Sequence, residues 1–273
     1  ATGVNSALAE NAGSASGGDF SETNLREAGV EEGDVVKTDG QYIYAVHNNA
    51  DVQIFKADGG QVEKTADVKM DTNGTGMILD MYVSGDRMIL IEQDYASSLD
   101  PAEASDTYEV HNRGTVHAVT YDITDRTNPV SAGSISADGY YQTSRLTDGV
   151  LYLMTQYSAD YTLYSGDAAY NENAALKGGL VPCVNQEPVP AEDIYIPQEM
   201  SAEAYLVLTS VRISDPSAAV DSKAVLSYSS NMYVSQDAIF LDATSWMQWD
   251  GTTIARINFS DGSFTPAGAC TVP

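Results

Sequence analysis

Side chains able to do chemistry are spread along this chain and form no familiar motif. The three histidines, His47, His111 and His117, and the two cysteines, Cys183 and Cys270, lack zinc-ligand spacing. No nucleophile elbow, P-loop or dinucleotide fingerprint occurs. Acidic turns at Asp122–Asp125 and Asp261 carry the oxygen donors that calcium takes. They form no EF-hand-type loop, and an Asp in a turn more often caps backbone amides. The expectation is no catalytic set, no metal site and no cofactor, with calcium as the lesser reading. Two groups suit recognition better. Trp246 and Trp249, with Tyr157, Tyr161 and Tyr164, have flat faces that stack on sugar rings or grip peptide side chains. Asp80 and Arg145 fall in the first, innermost strands of two repeated units set out below, strands that line a central channel where polar side chains can face a ligand. Each group has a plainer alternative: the aromatics pack loops onto the scaffold, and Asp80 and Arg145 are satisfied by neighbouring hydrogen bonds.

A strand-pair unit that recurs four times must position these residues. Its copies read DVVKTDGQYIYAV, MYVSGDRMILIE, YQTSRLTDGVLYLMT and NMYVSQDAIFLDA. Each is followed by a second pair around FKADGGQV, ITDRTNPV, ISDPSAAV or FSDGSF. Four strands per repeat predict an all-β fold, a β-propeller of four-stranded antiparallel blades. The blades fall at about 34–70, 77–136, 140–226 and 230–270, within a domain of residues 21–273. Insertions at about 93–113 and 157–203 each follow the second strand of a unit. Successive loops of an antiparallel meander alternate between faces, so both insertions leave by one face, and the segment SWMQWDG occupies the equivalent place in the fourth unit. Loops carry function on a fixed scaffold, which makes this face the expected recognition surface. Cys270 ends a fourth strand at the same face and Cys183 lies in the longer insertion, so a disulfide between them is allowed.

Bulk properties narrow the partners. A formal charge of −26 repels phosphate backbones and anionic lipid, which argues against nucleic acid. Cationic or neutral ligands stay open, and a solubilising surface is the plainer reading of the acidity. No apolar run approaches the ~20 residues that span a bilayer. Residues 1–20 are rich in Ala, Gly, Ser and Asn and are expected to be a flexible polar tether. The absence of an initial Met fits a mature or trimmed chain.

Phe20–Tyr44 reads FSETNLREAGVEEGDVVKTDGQYIY, Val119–Arg145 reads VTYDITDRTNPVSAGSISADGYYQTSR, and Glu192–Pro197 reads EDIYIP. These stretches resemble a family of secreted bacterial and archaeal proteins with a C-terminal β-propeller distantly related to WD40 repeats. Leu25-Arg26-Glu27 stands where that family is usually more apolar. The resemblance implies a secreted or surface-anchored propeller in a family whose members are generally longer and carry more blades. It supplies no catalytic residues. Four blades are the lower limit for a closed ring. Either a tight four-blade ring or a half-propeller completed by a second copy is therefore expected. The leading functional expectation is a binding module for an extracellular protein, peptide or glycan. The alternatives are a carbohydrate-active enzyme with a carboxylate pair and a half-propeller built for assembly. Acidic residues are too abundant here for a pair of them to diagnose catalysis.

Overall fold

Asp-Gly turns set the hairpins. Asp148-Gly149 and Asp261-Gly262 both have positive φ at the two positions, as a two-residue hairpin whose twist matches its strands requires. At Asp39-Gly40 only the glycine is left-handed, and the Asp39 carboxylate accepts the N–H groups of Gln41 and Tyr42 instead. The computed structural model describes residues 29–70, 76–95, 114–158, 181–196, 204–227, 231–243 and 252–272. The first sheet orders β1 (Val36–Thr38), β2 (Tyr42–His47), β3 (Asp51–Asp58) and β4 (Gln61–Lys69) as a meander. β5 (Gly76–Ser84), β6 (Arg87–Asp94), β7 (Thr115–Asp122) and β8 (Val130–Asp138) make the second. The third holds β9 (Tyr140–Thr147), β10 (Val150–Ser158), β14 (Ala204–Arg212) and β15 (Asp215–Leu226). β16 (Asn231–Val234), β17 (Ala238–Ala243), β18 (Thr252–Ser260) and β19 (Ser263–Val272) make the fourth.

Consecutive sheets pack face to face. Tyr44, Val52 and Ile54 of the first meet Met88, Leu90 and Val119 of the second. On the other side of β6, Ile89 and Ile91 meet Leu151, Leu153 and Val207 of the third. Tyr152, Met154 and Leu208 then meet Ile239, Leu241 and Ile257 of the fourth. β6 and β10 are thus apolar on both faces, which is why they read as unbroken hydrophobic runs. Among the described residues no apolar cluster joins the fourth sheet back to the first. Among the described residues the four blades stack in series, with the first and fourth sheets at the two ends.

The longer insertion closes sheet edges. β6 runs to Asp94 and β10 to Ser158, so Gln93 and Tyr157 belong to strands rather than to loops. Within the insertion, β11 (Cys183–Val184) and β12 (Glu187–Pro188) extend the second sheet beyond β8, and β13 (Ile194–Tyr195) runs parallel to β15 at the edge of the third. Val184, Val189 and Ile194 add to the core between those sheets, and Lys223 ties Asp193 to the edge at 2.7 Å. This strap covers two edges that would otherwise expose unpaired backbone groups. It also corrects the expected disulfide, because no bond joins Cys183 to Cys270. Cys183 sits on the second sheet, its N–H donating to Asp138, while Cys270 lies exposed on the fourth sheet opposite Ile254. No helix of the described residues is long and apolar enough to cross a membrane.

Candidate functional site

The chain enters the first blade by crossing the inner strands of the next two. Glu31 exchanges both backbone hydrogen bonds with Leu146 of β9, at 2.9 and 3.0 Å. Asp34 does the same with Met81 of β5, at 3.2 and 3.1 Å. Between them Gly33 lies so close to β5 that a Cβ would sit 2.6 Å from the Asp80 Cγ. Charges lock the crossing. Arg145 pairs with Glu32 at 3.0 Å, and Lys37 pairs with Glu31 at 3.2 Å while donating to the Glu32 carbonyl at 2.7 Å. Lys37 is buried, with its ammonium 5.8 Å from the centre of the Tyr82 ring. The Tyr141 hydroxyl donates to the Asp80 carboxylate, and Ser144 lies 2.8 Å from the hydroxyls of both Tyr141 and Tyr82.

Burial is the largest influence on Asp80 and pushes its pKa up; Tyr141, Arg145 and Lys37 oppose the rise and Asp34 adds to it, leaving it raised. Burial likewise raises the phenols of Tyr82 and Tyr141. A carboxyl whose folded pKa exceeds its unfolded value binds its proton more tightly in the folded state. Its contribution to stability is full below the unfolded pKa and fades as pH rises through the folded one. We expect Asp80→Asn, which keeps an oxygen acceptor for Tyr141, to melt at or above the wild-type temperature at pH 7. That advantage should shrink as pH falls toward 4, because an aspartate in the unfolded chain titrates at about 3.9. A variant that melts lower at pH 7 would show that Asp80 acts as an ionised anchor.

Beside this clasp, on the face of the short turns, a cleft of about 650 Å³ opens between the first two blades. Thr38, Asp39, Gln41 and Tyr42 line one wall, with Asp86 and Arg126 on the other. Arg126 comes from the β7–β8 turn and joins the blades: it meets Asp86 at 2.6 Å, Asp39 at 3.4 Å and the Tyr44 hydroxyl at 3.3 Å. Burial works to raise the Asp39 carboxyl, but the N–H groups of Tyr42 and Gln41, the Tyr44 hydroxyl and Arg126 hold it below its ordinary value. Two carboxylates against one guanidinium leave an excess of negative charge. Hydrogen-bond donors are welcome there and anions are not. The β1–β2, β5–β6 and β7–β8 turns alternate with the second-to-third-strand connections, so this cleft opens opposite the insertions.

The expected site residues part company. Asp80 and Arg145 do come together beside the entry segment: Arg145 pairs with Glu32 of that segment, while the Asp80 carboxylate packs against Gly33 and accepts from Tyr141. Tyr157 departs from the aromatic platform: it is 1% exposed, in the core between the second and third blades, because β10 continues through it opposite Tyr205. Tyr161, Tyr164, Trp246 and Trp249 lie outside the described residues. Asp122 and Asp125 cap their own turn through Thr124 and Thr127, and Asp261 pairs with Arg212 at 2.8 Å. The hydrogen bond from the Thr124 N–H leads the causes that bring Asp122 down to about 2. Arg126 and Lys37 carry no signal along the chain, since each sits in a stretch that reads as turn or strand. A family model described as a beta propeller domain matches residues 20–273. No curated protein matches the chain.

Proposed function

Since the chain belongs to the beta propeller domain family, we propose that it is an interaction module acting outside the cytoplasm, with the cleft between its first two blades as the recognition site. The ligand is rich in hydrogen-bond donors and carries no anionic group, as a neutral glycan or a basic peptide segment does. The carrying observation is the cleft itself. At about 650 Å³ it falls within the ~300–1,000 Å³ of small-ligand pockets, and its polar lining is held by two blades at once. The acidic composition and the likeness to secreted propellers support an extracytoplasmic setting. A glycosidase reading gains little from the inner strands, where Tyr141 occupies the Asp80 carboxylate and Gly33 walls it in.

A glycan and basic-peptide binding screen tests this. Asp86 is 59% exposed at its side chain, so reversing its charge should leave the fold intact. The Asp86→Lys variant is expected to bind about tenfold more weakly or worse, while deletion of residues 96–113 leaves binding unchanged. The opposite pattern would move the site to the insertion-bearing face.

A further inference from the structure

The cleft between the first two blades carries one saturated carboxylate and one open one. Asp39 Oδ1 accepts the N–H groups of Gln41 and Tyr42 at 3.0 and 2.8 Å, and its Oδ2 accepts the Tyr44 hydroxyl at 2.9 Å and Arg126 at 3.4 Å. Those bonds fill the acceptor sites of a carboxylate. Asp86 differs. Its Oδ1 meets Arg126 Nη1 at 2.6 Å, its Oδ2 has no partner among the described residues, and its side chain is 59% exposed. Arg126 donates from Nε to the Tyr44 hydroxyl, from Nη1 to Asp86, and from Nη2 to Asp39 and the Gly85 carbonyl. Of the five N–H groups of a guanidinium, one on Nη1 is therefore left. That donor and the open oxygen of Asp86 belong to two halves of one ion pair, so they are neighbours. On the other wall Gln41 is exposed, and neither its side-chain amide nor the Tyr42 hydroxyl has a partner among the described residues.

We propose, resting on the reading of this cleft as the recognition site, that its ligand is a neutral glycan held by two adjacent hydroxyl groups at Asp86 and Arg126. A carboxylate only accepts and a guanidinium only donates. A ligand that satisfies both at one spot must donate and accept through neighbouring groups, as vicinal hydroxyls do. The cationic group of a basic peptide only donates. It would answer Asp86, leave the Arg126 N–H unanswered, and set a second positive charge beside the first. The negative excess of the cleft does little to hold it, because the Asp39 carboxylate already has its full set of donors. The opposite wall suits a sugar too. The Gln41 amide both donates and accepts, and Tyr42 and Val83, packed on the core between these blades, offer apolar surface to the C–H face of a ring. Arg126 is fixed by groups from both blades before any ligand arrives, so the donor–acceptor pair is preorganised.

Titration calorimetry of the full chain with a panel of neutral oligosaccharides, with oligouronates and with oligolysine tests it. A neutral oligosaccharide is expected to bind with an affinity that changes less than about twofold between ~50 and ~500 mM NaCl, since it forms no ion pair. Arg126→Ala should weaken that binding about tenfold or more, as loss of a charged hydrogen bond does. The same variant would tighten oligolysine, because it removes the competing positive charge. Arg126 also joins the blades, so Gln41→Ala repeats the test at an exposed turn, with glycan binding expected to fall about threefold or more. Oligolysine bound in preference to every neutral glycan, weakened by salt and by Asp86→Ala but not by Gln41→Ala, would overturn the glycan and leave the cleft as the site. Oligouronates bound more tightly than neutral chains would do the same. Binding that neither Asp86→Ala nor Gln41→Ala alters, or no binding of any probe, would overturn both the glycan and the cleft.

Discussion

Truncating Tyr157 to alanine will lower stability by about 3–5 kcal/mol, the range for removing a large buried ring, and the melting temperature by roughly 10 °C. The residue is 1% exposed, at the end of β10 in the core between the second and third blades. Its neighbours there include Val184 and Val189 of the strap. The loss should therefore come with faster proteolysis of the strap, because the same cavity loosens both. Thermal melts and limited proteolysis measure the two effects. A variant that melts like the wild type but loses a ligand would return Tyr157 to a recognition surface.

Replacing Gly33 with valine will cost about 1–3 kcal/mol, as overpacking of a tight site does, and will free the entry segment. Even the first added carbon would fall 2.6 Å from the Asp80 Cγ, and Asp80 cannot swing away without breaking its bond to Tyr141. The segment carries the only described pairings of Glu31 with β9 and of Asp34 with β5. Faster amide exchange at Met81 and Leu146 should report the release, since both N–H groups donate to it. Combining Gly33→Val with Asp80→Ser should recover part of the loss, the signature of two residues in contact. Full additivity of the two changes would mean that Gly33 is tight for some other reason.

These two residues show what can be read along the chain and what cannot. The repeat is legible because Asp-Gly turns and strand periodicity are local: Asp148-Gly149 and Asp261-Gly262 turn their hairpins where the pattern places them. The position of a blade in the stack is also written in its strands. β6 and β10 are apolar on both faces, whereas in β2 only Tyr44 is fully buried. The clasp is half legible. Asp80 and Arg145 can be assigned to innermost strands, but their neighbours Glu32 and Gly33 lie far away in sequence, and no local pattern announces such a contact. Tyr157 is hard to place because a tyrosine at a strand end and one in a loop look alike until the strand's last pairing, Ser158 with Ala204, is known. A cysteine pair across blades requires the insertion to be a free loop. Its backbone instead joins the edge of the second sheet, which holds Cys183 away from the fourth.

The central claim is that four blades stack in series and that the last does not meet the first within one chain. Cys270 reports on this directly, being exposed on the outward face of the fourth blade. The measurement is its rate of thiol labelling in the chain with Cys183 changed to Ser, at a dilution where sedimentation shows a single copy. Blades stacked in series predict labelling at the rate of a free exposed thiol. Labelling slowed by orders of magnitude in that monomer would mean that the fourth blade is covered by the first, and would contradict the account.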